Sequence, residues 1–122
     1  ISRHHAIYAG LIEGIPHFFE NKIGEGVRLV SAKLFFRENP VIDHIIRMKG
    51  SIAQINNRIR WAIKMIGTKY DLIRYNCEHF ANEFQYRHPH SRQVALVVVV
   101  LIIGFIVYTI ITSYNSANSY LK

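Results

Sequence analysis

Between Val94 and Thr112 the chain reads Val-Ala-Leu-Val-Val-Val-Val-Leu-Ile-Ile-Gly-Phe-Ile-Val-Tyr-Thr-Ile-Ile-Thr, without one charged side chain. As a helix rising ~1.5 Å per residue, this run would reach about 28 Å, the depth of a hydrocarbon core. Its β-branched residues would favour a strand in water, but a lone strand in lipid leaves its backbone groups unpaired. A single spanning helix over 94 to 112 is therefore expected. Residues 1 to 93 then remain to build one small domain, and 113 to 122 form a short polar tail.

Charge sits almost wholly on the domain. Lys and Arg outnumber Asp and Glu by 15 to 8, and Lys122 alone of the basic residues follows the apolar run. Next to such a run, an anionic membrane surface is the simplest partner for this excess. The chain carries no Lys/Arg run or RNP-like motif that would argue for nucleic acid. Arg87, His88, His90 and Arg92 directly precede the run, so the positive-inside rule places the domain in the cytosol, with a C-terminal, tail-anchor-like span. His88 and His90 are expected to meet headgroups. The chain opens on Ile1, as a released product or a fragment would.

Within the domain, Ser2 to Ala9 and Ile15 to Phe19 read as two strands joined by a turn over Gly10 to Gly14. Gly24 and Gly26 mark a second turn before an apolar stretch, Val27 to Val30. Val41 to Met48, after Pro40, suits a strand rather better than a helix. Gly50-Ser51 offers a break and an N-cap, and Ile52, Ile55, Ile59, Ala62, Ile63 and Ile66 then recur mostly at helical spacing until Gly67 stops them. Ile59 and Ile63 fit a core face with Trp61 at its edge, and Arg58, Arg60 and Lys64 a solvated one. A second amphipathic helix is expected from Asn76-Cys77 to about Tyr86.

Cys77 is the chain's single cysteine, so folding requires no internal disulfide and a reducing compartment is permitted. At a helix start, backbone amides and the helix dipole favour its thiolate. A neighbouring imidazole would take the thiol proton and return it to a leaving group. Strand alternation puts His4, Ala6 and Tyr8 on one face and His5, Ile7 and Ala9 on the other, so one of the two histidines can face Cys77. His17, on the returning strand, could orient that imidazole as a cross-strand neighbour. His79, two residues past Cys77 on a helix, points elsewhere and reads as structural. Cys77, His4, His17 and His79 lack the ligand-pair spacing of a zinc finger.

Arg3-His4-His5-Ala6-Ile7-Tyr8-Ala9-Gly10 resembles the H-box, and Tyr70-Asp71-Leu72-Ile73-Arg74-Tyr75-Asn76-Cys77-Glu78-His79-Phe80-Ala81-Asn82 the NC box, of the lecithin:retinol acyltransferase family. The resemblance covers most of residues 2 to 93. It implies an α+β, circularly permuted papain-like (NlpC/P60) domain whose antiparallel sheet packs on helices, with the base histidine ahead of the cysteine. Phospholipase A and acyltransferase members of the family also carry a hydrophobic C-terminal helix. Residue by residue, the resemblance implies Cys77 as nucleophile, His4 as general base within the pattern His-x-Gly/Ala-Ile-Tyr, and His17 as the third, orienting residue. His5 becomes a bystander. In two respects the chain departs from the family: the strand that normally precedes the H-box would lie before Ile1, and His17 stands slightly further from His4 than usual.

The implied reaction transfers an acyl chain from a glycerophospholipid to Cys77 as a thioester, and from there to water, an amine or another lipid. No metal or organic cofactor is implied. Membrane phospholipids would serve as both substrate and surface. Two alternatives stand beside this reading: a papain-like peptidase or amidase, and a non-catalytic membrane-binding or remodelling protein, as is suggested for similar H-box/NC proteins of some picornaviruses. Oligomeric state is left open.

Overall fold

The computed structural model describes residues 3 to 119, so the expected strand start at Ser2 and the end of the tail lie outside the described residues. The chain divides into two units, Ile1–Ser91 and Arg92–Lys122. The first is α+β. Three strands, β1 (Ala6–Ile12), β2 (Ile15–Lys22) and β3 (Gly26–Ser31), form an antiparallel sheet in chain order, followed by helices α1 (Ala32–Glu38), α2 (Ile52–Met65) and α3 (Cys77–Tyr86).

The first hairpin is tighter than the sequence suggests. Ile12 pairs with Ile15 across Glu13-Gly14 alone, and both turn residues have positive φ (52° and 76°), as a two-residue turn of the right twist requires. The ladder then shifts register between Tyr8 and Gly10, so that Ala9 is an extra residue. Beyond that bulge Ala6 faces Glu20, and Glu20 in turn faces Arg28 on β3.

Alternation now sorts the sheet. Ile7, Phe19 and Val27 join Ala62 of α2 and Phe80 and Phe84 of α3 in the buried core. Phe18, of opposite parity, stacks on Phe35 of α1 at 4.5 Å between ring centroids. Trp61 stacks on Phe80 at 5.7 Å. Of the two isoleucines assigned to the α2 core face, Ile59 packs against the core, whereas Ile63 is half-exposed because Ala62 and Met65 define the buried stripe.

Residues 39 to 49 form no helix or strand, against the expectation of a strand over Val41 to Met48. β-Branched composition favours a strand only where a ladder partner exists, and the sheet stops at β3. Helix α1 escaped the sequence reading altogether. Its signal is Ser31, whose hydroxyl accepts from the Leu34 amide as an N-cap. Ser51 caps α2 as expected, through a capping box with Gln54.

The second unit is helix α4 (Arg92–Ser119), long and apolar enough to cross a membrane by length and composition. It continues past Thr112 through residues expected to be a polar tail. Thr112 and Ser119 hydroxyls donate back to carbonyls of Tyr108 and Ser116, a geometry that lets small polar residues stay helical.

Candidate active site

Cys77 is the first residue of α3, and Asn76 is its N-cap. The Asn76 side chain accepts from the amides of Glu78 and His79, both at 3.0 Å, and donates to the Leu72 carbonyl and to the Ser91 hydroxyl. Ser91 in turn donates to Glu78 at 2.6 Å. His79 accepts from the Asn76 amide through Nδ1, which completes a capping box and gives this histidine its structural role. The start of α3 is thus fixed on all sides. The Cys77 amide, first in the helix, has no acceptor within the helix itself.

On the sheet side, Asn21 donates to the Tyr75 carbonyl at 2.8 Å and ties the loop before Cys77 to β2. His4 and Cys77 line one open cleft of ≈ 250 Å³, with Glu20 and Tyr70 among its walls. Cys77 is 6% exposed, and its sulfur lies 3.7 Å from the Arg3 carbonyl. Burial alone would push the thiol up; hydrogen bonds from the His4 and His5 side chains and the His5 backbone, with the charge of His4, outweigh it and bring the thiol down to about 6. Burial likewise opposes the charge on His4, but hydrogen bonds and charge from Cys77 and Glu20 raise the imidazole to about 9. Both shifts favour a thiolate beside an imidazolium.

Glu20 orients His4. Its Oε2 meets His4 Nε2 at 2.5 Å, and its Oε1 accepts from Arg28 Nη2 at 2.6 Å and Nε at 2.9 Å. The Glu20 side chain has no solvent exposure. Burial would raise its carboxyl, yet the bonds to His4 and Arg28 hold it below the ordinary carboxylate value. With Nε2 committed to Glu20, Nδ1 is the ring nitrogen left for Cys77.

The structure brings Cys77 and His4 together and does not bring His17 to them. The His17 ring bonds the Ile15 carbonyl of its own strand at 2.8 Å. Register is the reason: His17 pairs with Gly10 near the turn, whereas Glu20 pairs with Ala6 at the start of β1 and so reaches the imidazole. His5, a bystander by the resemblance, precedes β1 with its Nδ1 buried and without a hydrogen-bond partner, while its ring and amide help lower the Cys77 thiol. Sequence reasoning missed Glu20, although its neighbour Arg28, Glu25 and Glu38 mark a dense ionic cluster. Among the described residues, no three His, Cys, Asp or Glu side chains are grouped to hold a metal ion.

Compared with known protein families, with curated proteins and with solved structures, the chain matches none.

Proposed function

We propose that this chain is a membrane-anchored thiol acyltransferase of phospholipase A type, related to the H-box/NC proteins of the lecithin:retinol acyltransferase family, with a papain-like site. The observation that carries the reading is Cys77 at the start of α3, in one cleft with a His4 ring that Glu20 holds through Nε2. An apolar helix follows the domain directly at Arg92, which favours a lipid substrate over a soluble peptide. The same helix, with its preceding cations, supports a C-terminal anchor and a cytosolic domain.

In this mechanism the Cys77 thiolate attacks the carbonyl carbon of a glycerophospholipid ester. A carbon–sulfur bond forms as the carbonyl π electrons move onto oxygen, and the Cys77 amide and the α3 dipole stabilise the resulting oxyanion. Collapse expels the glycerol oxygen, which takes the proton from His4 and leaves as a lysophospholipid. Neutral His4 then removes a proton from water, an amine or a lipid hydroxyl as it attacks the thioester, and the thiolate is restored. Glu20 keeps the ring in the required orientation throughout.

Intact-mass analysis after incubation with phospholipid micelles should find one acyl adduct, mapped to Cys77. Cys77→Ala should lose both the adduct and acyl release. Undiminished acyl release by this variant would exclude the mechanism, and selective turnover of peptides by the unaltered chain would favour a peptidase.

A further inference from the structure

Residues 40 to 49 leave apolar surface in water although both ends of the segment are pinned. Asn39 closes α1, with its side-chain amide on the Phe35 carbonyl at 3.0 Å, and Met48 packs against the core. Between them Val41, Ile42, Ile45 and Ile46 are 83, 50, 83 and 65% exposed. Four exposed aliphatic side chains within six residues of a small domain mark an interaction surface.

The segment also borders the cleft. Asn39 and Arg3 line the cleft, and Asp43 pairs with Arg3 at 3.5 Å. Ile23, on the rim, is 70% exposed. Two aliphatic pairs, Val41-Ile42 and Ile45-Ile46, flank Asp43-His44, whose acid pairs with Arg3, and the cations Arg47 and Lys49 follow closely. A phospholipid surface matches that pattern, offering methylenes to the aliphatic pairs and phosphates to the cations. A second copy of this chain matches it poorly, since each carries a formal charge of +7. The chain runs from Ser91 straight into α4, so a bilayer that accepts that helix stays within reach of the domain.

We infer that residues 41 to 46 dip into the interface of a phospholipid bilayer and hold the mouth of the Cys77 cleft against it. What then enters the cleft rests on the acyl-transfer reading; the immersion does not. Depth is limited by the backbone. The segment makes no helix or ladder, and unpaired amides are excluded from hydrocarbon, so the isoleucines reach the acyl boundary while the main chain stays among headgroups.

The test uses the full chain in phosphatidylcholine–phosphatidylserine vesicles, with Ile45→Trp placed in a Trp61→Phe background so that position 45 carries the only indole. Vesicles with brominated acyl chains should reduce its emission by about twofold relative to ordinary ones, as expected for a side chain at the acyl boundary. Equal emission in both vesicles would overturn the inference, as would a signal that changes on dilution of the protein and not on bromination. If Trp61→Phe disturbs the core, Ile45→Trp beside the native Trp61 gives the same readout as a difference between the two vesicle types. Because quenching is read without turnover, it holds or fails independently of acyl transfer. Where turnover is present, Ile42→Ser with Ile45→Ser should lower it about tenfold on vesicles and leave iodoacetamide alkylation of Cys77 unchanged; equal turnover on vesicles would also count against immersion.

Discussion

Replacing Glu20 by Gln removes one negative charge from a fully buried side chain while keeping its shape. The carboxylate meets His4 Nε2 at 2.5 Å, and hydrogen bonds to charged groups contribute ~1.5–3 kcal/mol. At 1.36 kcal/mol per unit this corresponds to about 1–2 pH units on the imidazole. His4, raised to about 9 in the native chain, should therefore titrate at roughly 7–8 in Glu20→Gln. Cys77 is the only cysteine, so the pH profile of its alkylation by iodoacetamide reads the pair directly. The native profile should rise first near the thiol value of about 6 and again near about 9, where the thiolate loses its cationic partner. Glu20→Gln should bring the second rise down and narrow the interval in which thiolate and imidazolium coexist. A second rise still at about 9 would show that Glu20 does not hold the proton on His4. The same pair sets a stability window. His4, raised from 6.5, contributes fully below that value and loses its contribution as pH rises through about 9. Glu20, lowered from 4.5, contributes above that value and loses its contribution as pH falls through its depressed folded value. Glu20→Gln should flatten this dependence.

His17→Ala should leave the Cys77 alkylation profile unchanged, because the ring bonds Ile15 and not His4; a shift in either rise would restore His17 to the site. Asn76→Ala removes the N-cap that accepts from the buried Glu78 and His79 amides, which should lower domain stability by about 2–4 kcal/mol. Denaturant titration in detergent, followed by Trp61 fluorescence, would measure it. Phe80→Ala opens the centre of the core and should cost about 3–5 kcal/mol by the same titration.

Much of the architecture is legible in one dimension because it is local. The apolar run at 94 to 112 requires no tertiary partner to be recognised as a long helix. Ser51 and Gly67 bracket α2 by capping chemistry alone, and Asn76 opens α3 in the same way. Cys77 at a helix start and a histidine ahead of β1 could likewise be named from residue type and order. What the chain could not disclose is register and partnership. Val41 to Met48 has strand composition, but whether a ladder partner exists depends on where the sheet ends.

The third member of the site shows the division most clearly. Its place on the returning strand and the family resemblance pointed to His17, but the ladder sets His17 opposite Gly10, near the turn and away from His4. Glu20, which pairs with Ala6 at the start of β1 and is clamped by Arg28, takes the place instead. Sequence by itself determined the long apolar helix, two capped helices and the cysteine, since each depends on neighbours a few residues away. Tertiary structure alone decided which acid faces the imidazole, because register is a property of two paired strands and not of either one read singly.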